Sequence, residues 1–274
     1  MEAKMSYPMN LVLIRHGESE GNRSNWFSRH GDNRYFTPEH LARHSAWWHL
    51  TELGIKQAEV TGEWLRKNNL HHFDHHIVSS HVRAIETASY LGLDDALWDV
   101  RYELRERDFG LVDVLADDEK NRRFPEYVRR LDFDRYFNRP PKGESMDDMR
   151  LRIEKSMIPL LRDTADGERV LIVSHGDTIR ALRIIIEGIN PVVYNHLVIN
   201  DDPYLDTSNC QIVEYTRVNP KNKDDVRETF GWVRSLCPAV ANAPASYDWV
   251  EIHRNKFSNT HLLSLTSTYP RLVD

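Results

Sequence analysis

The chain alternates short apolar runs with longer stretches in which apolar side chains recur every three or four residues. Asn10-Leu-Val-Leu-Ile14 and Val170-Leu-Ile-Val173 are continuous rather than alternating, the pattern of a strand covered on both faces. Ile77-Val78 is a weaker run of the same kind. Between them, Ile55, Ala58, Gly62 and Leu65 fall on one helical face, and Met146, Met149, Ile153, Met157 and Leu160 on another. Ser145 and Asp148 are spaced as a capping pair at the start of the second helix. Buried strands separated by long helices predict an α/β protein with a mostly parallel central sheet flanked by helices on both faces. No repeat and no low-complexity segment interrupts the plan.

Two segments depart from it. Residues 20–50 lack clean periodicity and crowd aromatics (Trp26, Phe27, Tyr35, Phe36, Trp47, Trp48) with basic and imidazole groups. We read them as an aromatic insertion. Residues 217–274 carry several prolines and candidate strands at Trp232-Val233 and Trp249–Ile252, and we read them as a C-terminal extension packed on the main domain without a flexible linker. The expectation is one domain, with a core of about 10–215.

The apolar runs end in chemistry. The first leads directly into Arg15-His16-Gly17-Glu18-Ser19 and the last into Ser174-His175-Gly176-Asp177-Thr178. Ligands of a parallel α/β sheet bind beyond the carboxyl ends of its strands. The two imidazoles, 159 positions apart in sequence, should therefore meet at one sheet edge. Glycine after each histidine is expected to let backbone approach a ligand. The third run leads into Ser79-Ser80 with Arg83 in the first helical turn, where free N–H groups favour an anion. Two arginine forks and two histidines at one edge make a receptor for a phosphoryl dianion.

Together these stretches resemble a known family. Arg15-His16-Gly17-Glu18-Ser19 with Asn22, Thr51-Glu52-Leu53-Gly54, Ser80 with Arg83 and Thr87-Ala88, Glu106-Arg107-Asp108-Phe109-Gly110, and Ser174-His175-Gly176 follow one another in the order of the histidine phosphatase superfamily, which includes the phosphoglycerate mutases. Arg139-Pro-Pro-Lys-Gly143-Glu144-Ser145 is similar to its broad-specificity phosphatase branch. The long aromatic insertion departs from relatives with a short loop there, and the extension matches nothing in the family's core. The resemblance implies His16 as nucleophile, with Arg15, Arg83 and His175 on the equatorial oxygens, Asn22 donating to the same group and Glu106 as general acid. Glu103 and Asp108 compete with Glu106 for that last role. Ser80 and Glu144 stand between helix capping and substrate contact. The insertion reads as a lid, with Arg29 and Arg34 suited to a substrate bearing further negative charge.

Composition narrows the rest. A formal net charge of -6 speaks against general nucleic-acid binding. No stretch approaches a membrane span, and the first ten residues hold no apolar leader. Two cysteines, Cys210 and Cys237, cannot build a disulfide framework, so a reduced cytoplasmic setting is expected. His71-His72-Phe73-Asp74-His75-His76 mimics part of a binuclear metal motif, but Leu70 stands where its leading histidine belongs; we read it as a solvated loop. The expected activity is a phosphomonoesterase acting on a small phosphorylated metabolite, needing neither metal nor cofactor, with phosphate or sulfate fitting the pocket. The alternatives are a phosphomutase, a metal-dependent hydrolase and a silent phospho-ligand binder.

Overall fold

The computed structural model describes residues 7–241, 243, 246–253, 256–267 and 269–273. Residues 1–6, part of the segment in which no leader was found, lie outside the described residues. The strands are β1 (Asn10–Arg15), β2 (His75–Ser79), β3 (Trp98–Arg101), β4 (Arg169–Ser174), β5 (Ile212–Thr216), β6 (Val218–Asn219), β7 (Asn222–Val226), β8 (Trp232–Leu236) and β9 (Tyr247–Glu251). Seven of them form one sheet in the order β3-β2-β4-β1-β5-β8-β9, while β6 and β7 pair separately. The ladders from β3 to β1 are parallel and those from β1 to β9 antiparallel.

The apolar runs are two-sided because each strand feeds two cores. Leu11, Leu13, Ile77, Val170 and Ile172 face one layer, which holds α7 (Met146–Arg162) and α8 (Gly176–Glu187). Val12, Ile14, Val78, Leu171 and Val173 face the other. That layer holds α3 (Glu52–Lys67) and α4 (Val82–Tyr90). The predicted mostly parallel α/β sheet with helices on both faces is the observed architecture. Ser145 caps α7 as its spacing predicts: its hydroxyl accepts the Asp148 N–H at 3.1 Å and the Asp148 carboxylate accepts the Ser145 N–H at 2.8 Å.

The extension is more than a cover. Its β8 and β9 lengthen the central sheet beyond β5. A fully buried ion pair, Arg183 Nε to Glu187 Oε1 at 2.8 Å on α8, is sealed from that side. Tyr215 and Tyr204 hydroxyls donate to Glu187 at 2.6 and 2.7 Å, and Arg183 donates to the Tyr247 hydroxyl of β9 at 2.9 Å. A buried charge pair is tolerated only when its remaining hydrogen-bonding capacity is met in this way. No helix among the described residues is long and apolar enough to cross a membrane.

Residues 20–50 are more regular than their pattern suggests. They fold as α1 (Glu20–Arg29), α2 (Pro38–Ala42) and a short 3-10 turn at Ser45–Trp47. The base of the segment is zipped: the Glu20 N–H donates to His49 O and the Thr51 N–H to Glu18 O, both at 2.9 Å. A second segment stands opposite, with α5 (Asp117–Arg123) and α6 (Pro125–Arg130). The two are tied by hydrogen bonds from the Asp117 N–H to Ser28 Oγ at 2.8 Å and from Asn33 Nδ2 to Asp118 Oδ1 at 3.0 Å. The remaining helices are α9 (Pro191–Ile199) and α10 (Asn259–Thr266).

Candidate active site

Parallel pairing of β1, β4 and β2 brings their carboxyl ends side by side, and with them His16, His175 and Ser79. The His16 and His175 rings meet edge-on with centroids 5.1 Å apart. His16 is 2% exposed and lies on the wall of a cavity of about 1080 Å³. Its Nδ1 is 2.7 Å from Gly17 O, and Arg83 Nε lies 3.1 Å from its Nε2. A carbonyl can only accept and a guanidinium can only donate. The proton therefore sits on Nδ1, and Nε2 carries the lone pair that accepts the Arg83 Nε–H. Burial first, then Arg83 and Arg15, push the His16 pKa well below its ordinary value, so the ring is neutral at physiological pH.

The two arginines are held by backbone. Arg83, 6% exposed, donates through Nη1 to Ser45 O at 2.7 Å. Arg15 donates to Thr207 O, and its Nε is buried with no hydrogen-bond partner among the described residues. Burial lowers the pKa of both, Arg83 to about 10, which leaves both charged at neutral pH. Glu106 lies on the same wall; it accepts the Arg107 N–H at 2.9 Å. Burial, reinforced by Asp177, raises its pKa, which favours a protonated, proton-donating carboxyl. Glu103 is exposed and off the cavity. Asp108 is exposed at its rim and occupied with the Gly110 N–H at 2.7 Å.

Several expected residues stand elsewhere. His175 is fully buried behind His16 rather than on the cavity wall, with Nε2 2.7 Å from Ser79 Oγ. Ser79, not Ser80, holds it; Ser80 lines the cavity and gives its N–H to Arg101 O at 3.2 Å. Glu144 is a strut: its carboxylate bridges Arg105 at 3.0 Å and Arg152 at 2.7 Å and accepts the Asp108 N–H, and it is not on the cavity wall. Arg34 is also off the wall, paired with Asp32 at 2.5 Å. Arg29 does line the cavity. Asn22 lines it too, while its Oδ1 caps α1 by accepting the Ser19 N–H at 3.2 Å. Gly17 is required by packing, since a Cβ there would lie 2.4 Å from Gly54 O.

The structure adds residues that the sequence pattern did not single out. His81, in the turn between Ser80 and Arg83, lines the cavity; burial lowers its pKa to about 3. Its place in that strand-end group was the available signal. The α5–α6 segment supplies Lys120 and Tyr127 to the opposite wall, and neither has a motif to mark it. Seven arginines and one lysine line the cavity against six carboxylates, so a protein of net negative charge concentrates positive charge here. The His71–His76 stretch runs into β2, with His75 Nε2 2.9 Å from Glu168 Oε2. Among the described residues no three or more His, Cys, Asp or Glu side chains are grouped to hold a metal.

The sequence profile of the histidine phosphatase superfamily (branch 1) matches residues 11–219. The chain belongs to that superfamily. Among histidine phosphatase relatives, a 2,3-bisphosphoglycerate-dependent phosphoglycerate mutase of Methylorubrum extorquens is 34% identical over 189 residues, 65% of this chain and 79% of that protein. A phosphoglycerate mutase of Schizosaccharomyces pombe is 31% identical over 192 residues, covering 66% and 81%. The alpha-ribazole phosphatase of Shigella flexneri superposes with a TM-score of 0.60 at 22% identity, covering 81% of this chain and 96% of its own. A mycobacterial glucosyl-3-phosphoglycerate phosphatase in complex with inorganic phosphate gives 0.56 at 20%, covering 85% and 100%. These structural likenesses establish the shared histidine phosphatase fold.

Proposed function

We propose that the chain is a phosphomonoester hydrolase that works through a phosphohistidine on His16. The observation that carries this is the tautomer: Nδ1 is tied to Gly17 O, and Nε2 of this cavity-lining ring is left without a proton beside Arg83. Nε2 attacks phosphorus in line, the P–N bond forms as the P–O bond breaks, and Glu106 gives its proton to the leaving oxygen. Arg15 and Arg83 offset the charge on the equatorial oxygens, a task that fixed donors perform without reorganisation. Asn22, Ser80 and His81 complete the rim of the phosphoryl site. In the second step the Glu106 carboxylate takes a proton from water, whose oxygen attacks phosphorus; the P–N bond breaks and phosphate leaves. The arginines supply the positive charge, so the cycle runs without a metal.

A phosphomutase is the second reading, favoured by the mutases among the relatives. It would return the phosphoryl group to substrate before water reached it. The cavity mouth, where Arg29 and Arg135 stand exposed, admits water and favours hydrolysis. The test is turnover of p-nitrophenyl phosphate with and without EDTA, together with trapping of the phosphoenzyme. Chelator-resistant turnover and an acid-labile, base-stable label that His16→Ala abolishes are expected. Activity of the purified variant within tenfold of wild type, or label on serine or aspartate, refutes the mechanism. Transfer to a phosphorylated acceptor faster than to water identifies a mutase.

A further inference from the structure

We infer that Asn195, held by Tyr269 of the C-terminal extension, is a positioning residue: from behind the cavity wall it fixes the segment that meets the leaving group of the substrate. The inference deepens the phosphomonoester reading, and its kinetic half rests on that reading.

The segment in question has no core of its own. Tyr127, Val128, Leu131 and Arg135 line the cavity, yet no residue from Asp117 to Arg135 is buried. The residues that flank this stretch, Ala116 and Tyr136, are buried. It is therefore a bow tied at its two ends, and a stretch with so few buried contacts takes its place from those ties. At the first end the ties run to α1 and the loop after it, from the Asp117 N–H to Ser28 Oγ at 2.8 Å and from Asn33 Nδ2 to Asp118 Oδ1 at 3.0 Å. At the other end Asn138 Nδ2 donates to Tyr127 O at 2.9 Å, and Asn195 holds the turn itself.

Asn195 lies on α9 and is 1% exposed. Its Oδ1 accepts the backbone N–H groups of Arg135 at 2.8 Å and Tyr136 at 3.0 Å. Its Nδ2 donates to Asp134 Oδ1 at 3.2 Å and to the Tyr269 hydroxyl oxygen at 2.9 Å. Only one orientation of the amide satisfies this set: turned over, its NH₂ would face two N–H donors and its carbonyl a carboxylate. Asp134 belongs to the turn being held, since the same Oδ1 also accepts the Tyr136 and Phe137 N–H groups. Tyr269 is the tie that comes from outside, brought up by α10 where it lies against α9. Neither Asn195 nor Tyr269 is on the cavity wall, but Tyr194 and Val198 of α9 are. One helix thus lines the cavity and grips the end of the bow, and the extension sets that grip. Without the Tyr269 hydroxyl a buried N–H loses its partner, which is costly enough to loosen the turn.

The test compares Tyr269→Phe with Tyr247→Phe in the full chain. Each removes one hydroxyl of the extension, but Tyr247 bonds Arg183 on α8 and makes no contact with the bow. Backbone hydrogen exchange of peptides spanning residues 131–138 should rise about threefold or more in Tyr269→Phe, the scale of one lost neutral hydrogen bond, and stay at the wild-type rate in Tyr247→Phe. Kinetics should separate in the same way. In Tyr269→Phe the KM for hexyl phosphate, whose chain reaches along the wall, should rise about threefold or more with kcat within twofold, while the KM for methyl phosphate and the inhibition constant of inorganic phosphate stay unchanged. Tyr247→Phe should alter none of these constants. Equal exchange in the two variants, or a wild-type KM for hexyl phosphate in Tyr269→Phe, overturns the positioning role. A wild type that hydrolyses neither ester overturns the hydrolase reading instead, and the exchange comparison still decides whether Asn195 and Tyr269 hold the wall.

Discussion

Replacing Glu106 by glutamine tests two consequences of one buried carboxyl. The amide keeps an oxygen to accept the Arg107 N–H now held at 2.9 Å, so the fold has no reason to move, but it cannot donate an acid proton. An alkyl alkoxide is about as basic as hydroxide, whose conjugate acid has a pKa of about 15.7, and leaves poorly unprotonated. General acid catalysis is typically worth about 10²–10⁴-fold. Glu106→Gln should therefore lower kcat/KM for alkyl phosphates by about 10²–10⁴ and for p-nitrophenyl phosphate only mildly. The ratio kcat/KM is the right quantity, because both substrates share the later hydrolysis of phosphohistidine. The carboxyl must be protonated to act and its pKa is raised. Wild-type kcat/KM for alkyl phosphates should fall on the alkaline side of that pKa, and the variant should lose this limb. Stability moves the other way. A carboxyl whose folded pKa lies above its unfolded value contributes stability below the unfolded pKa and loses it as pH rises through the folded one. Each pH unit of displacement is worth about 1.4 kcal/mol, or roughly 2–3 °C of Tm for a chain of this size. Glu106→Gln should thus melt higher than wild type near pH 7.5, with the gap closing toward pH 4. Equal slowing of both substrates, with Asp108→Asn showing the leaving-group dependence, refutes the assignment; an unchanged Tm difference across pH refutes the buried carboxyl.

Other expectations follow from packing and electrostatics. A Cβ on Gly21 would lie 2.1 Å from the ring of the buried Trp48, so Gly21→Ala should cost about 1–3 kcal/mol and raise KM by shifting the cavity wall; denaturant titration with kinetics reads both. Arg83→Lys keeps the charge but cannot reproduce the fork that serves His16 Nε2 and Ser45 O together. A loss of about 10²–10³ in kcat/KM is expected, and retention of more than a tenth of wild-type activity would contradict that role.

The parts of the site that were legible in the sequence share one feature: they sit at strand ends. The two-sided apolar runs locate β1 and β4, and the residues that follow them must share an edge because parallel strands align. What was not legible was built by helices without a clear apolar face. The α1 sequence, Glu20–Arg29, mixes Gly21, serines and asparagines with Trp26 and Phe27. It is helical because Ser19 and Asn22 cap it and Trp48 covers Gly21, contacts that no periodicity announces. The α5–α6 wall is similarly polar, with none of its residues fully buried. His175 shows the limit from the other side: its motif placed it beside His16, but its full burial and its contact with Ser79 came only with the fold. Glu144 misled because a carboxylate beside a capping serine reads the same whether it meets substrate or two arginines.

The lengthening of the sheet by β8 and β9 bears on how the protein is made. β5 is buried along its whole length, and β8 takes up its outer edge in an antiparallel ladder. A nascent chain that has emerged only as far as Asn219 holds every element of the catalytic edge, yet presents β5 as a bare apolar rim able to pair with another chain. It also holds Arg183 and Glu187 without Tyr247 to close over them. Until the segment through Glu251 leaves the ribosome, this half-built sheet has an open edge of the kind that invites aggregation.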